Sequence, residues 1–245
     1  MKIKTDNYEI YKGDCLEVLK ELEDNSISCV VTDPPYKIVG GGCTNKAVRY
    51  TGTQHDELKN GTLFGKNEIK FNEWIPLLYD KVKDGSHVYI MCNDRNMREV
   101  LNVAHESKFK LLNILTWKKT KHNPNRYYLK NSEFIVMLRK GKAININNMG
   151  TFQVLEVPNV DKKLHPSDKP VELMKILVAN SSNDGDTILD PFMGAGSVGV
   201  ACSEIGERKF IGIELDEKYF EIAENRIKES IDKKEELLKL FDEAN

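Results

Sequence analysis

Residues 187–199 read Thr187-Ile188-Leu189-Asp190-Pro191-Phe192-Met193-Gly194-Ala195-Gly196-Ser197-Val198-Gly199. A short apolar run ends on an acid and a proline. Glycines at GxGxxG spacing follow and lead into the helical pattern of Val198 to Ile205. Strand, glycine turn and helix in that order form a nucleotide-binding βα unit, in which the glycines permit a tight turn and close backbone approach. The next strand, Lys209 to Glu214, ends on an acid placed to accept from both hydroxyls of a ribose. Up to this point a nicotinamide-dependent dehydrogenase fits as well. Only about thirty residues follow Glu214, however, and they read as a helix (Tyr219 to Ile231) and an amphipathic tail (Lys233 to Phe241). A dinucleotide-binding half needs more strands after its acid. They must come from the N-terminal half, so the sheet is circularly permuted.

The upstream sequence supplies them. Strand patterns lie at Tyr8 to Tyr11, Ile27 to Thr32, His87 to Cys92, Leu111 to Trp117 and Glu133 to Leu138. Helical patterns lie at Cys15 to Leu22, Asn72 to Val82, Met97 to Ser107 and from Pro170 onward. The expected fold is α/β: a doubly wound, mostly parallel, seven-stranded Rossmann-like sheet in one domain over residues 1–245. Two stretches carry no period. Residues 37–70 are glycine-rich, and residues 140–164 are polar and irregular apart from a short strand pattern at Phe152 to Val157. In the permuted order the strand ending at Thr32 lies beside Leu189, where strand order reverses and ligands bind beyond the carboxyl ends.

That strand runs into Thr32-Asp33-Pro34-Pro35-Tyr36. Two prolines cannot continue a ladder, so Asp33, a stiff set of carbonyls and an aromatic ring stand at the strand end. The Asp33 carboxylate and the Pro34 carbonyl can each take one hydrogen of an exocyclic amino group, and Tyr36 offers a face to a planar ring. The plainer reading is a strand end with a Pro-Pro turn.

The net charge is −2, with 40% hydrophobic and 30% charged residues, as in an ordinary globular enzyme. The cysteines Cys15, Cys29, Cys43, Cys92 and Cys202 are scattered, which argues against both a disulfide framework and zinc. No apolar stretch is long enough to span a bilayer, and Met1 to Thr5 lacks a signal-peptide core, so no membrane and a cytoplasmic location are expected. Charge is unevenly spread. Lys108, Lys110, Lys118, Lys119, Lys121, Arg126, Lys130, Arg139, Lys140 and Lys142 face a single acid, Glu133, with Trp117, Tyr127 and Tyr128 interleaved. Such a block suits phosphate contacts and base stacking; it also suits a solvated basic face.

Together these residues resemble the S-adenosylmethionine-dependent DNA amino-methyltransferases of the permuted, β-class order. The matching pieces are Asp33-Pro34-Pro35-Tyr36, His165-Pro166-Ser167-Asp168-Lys169-Pro170 and Asp190-Pro191-Phe192-Met193-Gly194-Ala195-Gly196, with Gly13-Asp14-Cys15 resembling the adenine-contacting acid motif. The resemblance spans roughly residues 7–230. It implies that Asp33, Pro34, Pro35 and Tyr36 act on the target base. It implies a cofactor site made of Asp14, Cys15, His165, Ser167, Lys169, Asp190, Phe192, Gly194, Gly196 and Glu214. In that site Asp14 meets the cofactor adenine, Glu214 its ribose, and Lys169 with His165 and Ser167 its methionine carboxylate. Asp14 also reads as a helix N-cap, Lys169-Pro170 as a helix start and Glu214 as a surface acid.

The implied reaction moves a methyl group to the amino group of a flipped base in double-stranded DNA, adenine N6 by the Asp33 variant of the motif, without a metal. Cytosine N4 is the alternative, followed by an RNA or protein amine. No long target-recognition segment precedes His165. Recognition of a short or relaxed site is therefore expected from the 37–70 loop with Lys46 and Arg49, the 140–164 insert, and Lys118, Lys119, Lys121, Arg126 and Lys130. A homodimer and a partner restriction endonuclease are both compatible with the chain; neither is legible in it.

Overall fold

The computed structural model describes residues 1–35, 69–123, 127–160, 164 and 168–243. The expectations for Tyr36, Lys46, Arg49, Arg126, His165 and Ser167 lie outside the described residues.

The strands are β1 (Lys2–Lys4), β2 (Tyr8–Lys12), β3 (Ile27–Thr32), β4 (Val82–Cys92), β5 (Lys110–Asn123), β6 (Lys130–Arg139), β7 (Val154–Glu156), β8 (Thr187–Asp190) and β9 (Lys209–Glu214). The described residues pair them into one sheet in the order β1-β2-β9-β8-β3-β4-β6-β5-β7. The expected seven strands form its body, and a three-residue strand is added at each edge. From β2 through β4 the pairing is parallel, and β6 is antiparallel to both of its neighbours.

Alternation along the strands buries both faces. Cys29, Val31, Tyr89, Met91, Ile135, Met137 and Ile188 face Leu173 and Leu177 of α4 (Val171–Ser181), Val198 and Ala201 of α5 (Ser197–Ile205), and Phe220 and Ala223 of α6 (Glu217–Glu243). Val30, Val88, Ile90, Val136 and Leu189 face Val18 and Leu19 of α1 (Cys15–Glu21), Trp74 and Leu78 of α2 (Phe71–Lys81), and Val100 and Val103 of α3 (Met97–Glu106). No helix among the described residues is long and apolar enough to cross a membrane.

Three features differ from the expectations. The C-terminal helix and tail are one continuous helix, α6. Strand β5 continues past Trp117 to Asn123. Cys92 at the end of β4 pairs with Phe134, which pairs with Thr116, so Trp117 to Asn123 and Lys130 to Glu133 project beyond the sheet as a two-stranded arm. At ~3.3 Å per residue its β6 side, Lys130 to Glu133, reaches roughly 13 Å past β4, and β5 takes up its extra residues in a register break between Lys118 and Asn123.

The third difference divides the 140–164 insert. Strand β6 runs antiparallel to β4, so it delivers Lys140 to the end of the sheet opposite Asp33. There Asn147 donates through Nδ2 to Ala179 O at 2.8 Å and Ser182 O at 2.9 Å, and His87 Nε2 donates to Ile144 O at 3.0 Å. These contacts pin residues 144–148 to the far end of α4. Strand β7 then runs parallel to β5 and pairs with Thr116 to Lys118, at and beyond the end of β4, so Val154 to Glu156 already lie at the Asp33 end.

Candidate active site

Strand β3 is buried along its whole length and stops where Pro34 and Pro35 remove the next donors. Its neighbour β8 aligns Val30 with Leu189, which brings Asp33 and the glycine loop to one edge. One buried carboxylate ties the two strand ends: Asp190 Oδ1 accepts from Thr32 Oγ1 at 2.8 Å and from Phe192 N at 3.1 Å. Burial pushes the Asp190 carboxyl up to about 7. Asp190 therefore fixes the loop that lines the site.

Asp33 stands in a chain of charges. Lys169, just ahead of α4, donates from Nζ to Asp33 Oδ2 at 2.5 Å, and Glu133 Oε2 of β6 lies 3.6 Å from the same ammonium. Glu133 Oε1 in turn accepts from Lys119 of β5. The side chains are 15%, 9%, 19% and 12% exposed for Asp33, Lys169, Glu133 and Lys119. Asp33 Oδ1 is buried and has no hydrogen-bond partner among the described residues. Burial raises the Asp33 carboxyl above its usual range, against the pull of Lys169. Burial alone would lower Lys169, but Asp33 and Glu133 hold it above its usual value. The resemblance implied a place for Lys169 beside a methionine carboxylate. Its ammonium donates to the catalytic candidate Asp33.

Beside this chain lies a cleft of about 270 Å³ bordered by Asp14, Cys15, Ile69, Phe192, Ile213, Glu214 and Leu215. Asp14 caps α1, with Oδ1 accepting from Leu16 N at 2.8 Å. Gly13 N donates to Glu214 O at 2.9 Å, which joins the two acid-bearing loops. Glu214 accepts from Gly194 N at 2.9 Å and Asp216 N at 2.8 Å, one on each oxygen, and burial raises its carboxyl. Each of these oxygens keeps a second lone pair for a ligand hydroxyl. Cys15 borders the cleft as an inert thiol, pushed up to about 12 by burial. Phe192 meets the buried Trp74 edge-on at 5.0 Å. Three acids line the cleft, of which Glu73 accepts from Lys70 N at 2.7 Å; Asp14 and Glu214, with the apolar and aromatic walls, fit an adenosine: hydroxyl and amino donors meet these two acids, and the purine meets Ile69, Phe192 and Leu215.

The glycine loop is held from behind. Arg226 of α6 donates from Nη1 to Ala195 O at 2.6 Å and lies 3.5 Å from Asp168 Oδ1, which also accepts from Ser197 Oγ at 2.8 Å. Gly194 and Gly196 have φ of 51° and 79°. A Cβ on Gly196 would lie 3.0 Å from Ala223 Cβ and 3.1 Å from Ala223 Cα. We expect Gly196→Ala to lose ~2–4 kcal/mol, from left-handed strain and overpacking together, measured as a lower urea midpoint at unchanged m.

The basic residues separate by exposure. Lys118 pairs with Glu156 at 2.9 Å and Lys130 with Asp94 at 2.8 Å, all four half-exposed, and such pairs are exchanged for phosphate at little cost. Lys121 lies on the arm, and Tyr127 and Tyr128 are exposed where its strands turn. Lys119 differs: it is turned inward onto Glu133 and over the Trp117 ring, so it leaves the solvent-facing set. Sequence reasoning missed Trp74, Asp168, Arg226 and Glu133 as site residues. Two of them carried a signal: Glu133 as the lone acid in the basic block, and Asp168 inside the matched His165–Pro170 motif.

The family model described as DNA methylase, of N6/N4 type, matches residues 27–225. Among curated proteins, the type II methyltransferase M2.MboI of Moraxella bovis is 30% identical over 91% of this chain and 88% of its own length. M2.DpnII of Streptococcus pneumoniae is 29% identical over 88% and 87%. Among solved structures, the M1.HpyAVI–SAM complex superposes with a TM-score of 0.67 at 27% identity, covering 89% of this chain and 99% of that one. The cytosine-N4-specific PvuII methyltransferase shares the fold, with a TM-score of 0.69 at 17% identity over 94% and 93%.

Proposed function

This chain belongs to the N6/N4 DNA methylase family and uses S-adenosylmethionine, and from that premise we propose that it methylates adenine N6 in double-stranded DNA. The observation that carries the proposal is Asp33 Oδ1: a shielded acceptor without a partner among the described residues, at the end of β3 beside the cofactor cleft.

When bound, S-adenosylmethionine supplies the methyl group. The chain's own residues act on the base. Asp33 Oδ1 and the Pro34 carbonyl accept the two amino hydrogens, which localises the nitrogen lone pair and stabilises the positive charge that develops there. Lys169 keeps the other Asp33 oxygen in place. Tyr36 stacks on the base, which must leave the helix at a cost of a few kcal/mol. Asp14 and Glu214 would hold the adenosine, and the Gly194–Gly196 turn would hold the methionine portion. The aspartate form of the motif, rather than serine, supports adenine over cytosine N4.

On the DNA side, the β5–β6 arm with Lys118, Lys121, Lys130, Tyr127 and Tyr128 reaches beyond the site edge of the sheet and suits phosphate contacts and base stacking. In the 140–164 insert, the part from β7 (Val154–Glu156) onward is on that side, whereas residues 144–148 are at the opposite end. Recognition of a short site follows from these small elements, and the type II relatives suggest a restriction-modification setting with an endonuclease of the same specificity.

The test is transfer of labelled methyl to DNA, followed by digestion and mass spectrometry of the nucleosides. N6-methyladenine is expected. N4-methylcytosine would replace adenine as the target, and label confined to RNA or protein would overturn the proposal.

A further inference from the structure

Lys169 shares its ammonium between two carboxylates that differ in geometry. Asp33 lies at 2.5 Å, on Oδ2 alone, and Glu133 at 3.6 Å on the other side. A lysine with one carboxylate partner and several donors is free to straddle both oxygens, which would close Asp33 to a substrate. A second carboxylate draws the ammonium to one side. Glu133 is itself held by Lys119, whose stem lies along Trp117 and whose ammonium is 5.2 Å from that ring. Trp117 is fixed in turn by donation from Nε1 to Val157 O at 2.8 Å. Charges thus alternate Asp33, Lys169, Glu133, Lys119, from a strand end to the base of the arm.

We propose that Glu133 and Lys119 are positioning residues for methyl transfer: Glu133 draws Lys169 onto one oxygen of Asp33 so that the other stays open to the amino group, and Lys119 limits that draw. This rests on the reading of Asp33 as the acceptor of the target amine. Neither residue needs to touch substrate.

Their charges act on Asp33 with opposite sign. The groups facing Asp33 are Lys169 ahead of α4, Glu133 on β6, Lys119 on β5, Asp190 on β8, and the neutral Cys92 thiol on β4, which burial pushes up to about 12. Asp33 offers the developing positive charge a charged acceptor only as a carboxylate, so turnover falls as pH drops through its titration. Removing the negative Glu133 favours the carboxylate and moves this acid limb to lower pH. Removing the positive Lys119 disfavours it and moves the limb to higher pH.

The experiment compares kcat–pH profiles of the full chain as wild type, Glu133→Gln, Glu133→Asp, Lys119→Gln and Asp33→Asn, with S-adenosylmethionine affinity measured by calorimetry for each. Glu133→Gln should lower kcat about tenfold to a hundredfold at unchanged KM, and Glu133→Asp should recover most of it. The limbs of Glu133→Gln and Lys119→Gln should shift about one pH unit in opposite directions. Limbs that coincide with wild type in both variants, with Asp33→Asn inactive, would overturn the positioning role and leave the Asp33 reading intact. Near-normal turnover of Asp33→Asn would overturn the Asp33 reading itself. If Glu133→Gln does not bind cofactor, Lys119→Gln decides alone: an upward shift supports the proposal and an unmoved limb refutes it.

Discussion

Replacing Asp33 by alanine is expected to abolish methyl transfer while S-adenosylmethionine still binds. Asp33 lies at the end of β3, outside the set that borders the cofactor cleft, so calorimetric affinity should stay within about threefold of wild type. Turnover should fall by ~10²–10³-fold, the scale of losing one preorganised group aimed at developing charge. The variant should remain folded. Lys169 keeps Glu133 as a counter-charge at 3.6 Å, so the cost should stay below the ~3–5 kcal/mol of stripping a buried charge of its partner. Single-turnover methylation of DNA measures the effect, and a rate within tenfold of wild type would remove Asp33 from the mechanism.

Glu214→Ala should act on the other half of the site. It deletes the acceptor for Gly194 N and Asp216 N as well as the two oxygens open to the ribose hydroxyls. Charge-assisted hydrogen bonds contribute ~1.5–3 kcal/mol each, so losing two weakens cofactor binding by ~3–6 kcal/mol, or about 10²–10⁴ in Kd. Glu214→Gln, which keeps one acceptor oxygen, should fall between. The Glu214 carboxyl is raised by burial, so wild-type affinity should drop on acidification as the carboxylate protonates, and the alanine variant should lose that dependence. Calorimetric titration with S-adenosylmethionine decides; an alanine variant that binds within threefold of wild type would assign Glu214 to the loop alone.

Some of this site was legible in the chain because local chemistry wrote it there. Glycines that need positive φ, a Pro-Pro stop after an apolar strand, and an acid at the end of the next strand are one-residue requirements, and each survives in the sequence. The charge chain was not legible in that way. Lys169 and Asp33 are bonded across 136 positions, and no pattern in either segment records the pairing. The arm was missed for a related reason. Beyond Trp117 strand β5 leaves the apolar core and its residues turn polar, so the alternation that marks a half-buried strand ends while β5 still pairs with β6 at Lys118 and, after a register break, at Asn123.

By itself, then, the sequence determined which two strand ends meet: the order of its motifs, with the Asp33 strand ahead of the glycine turn, calls for a permuted sheet that places Asp33 beside the glycine loop, as the pairing of β3 with β8 does. It also determined the chemistry on offer at that edge, since residue type sets what can donate and accept. Only the tertiary structure decided how the charges are used. Lys119 lies in a basic block but is turned inward, and Lys169 meets Asp33, because an ion pair is chosen by distance and burial between strands and a helix start far apart in the chain. It likewise split the 140–164 insert, since the direction of β6 against β4 fixes which end of the sheet each half can reach.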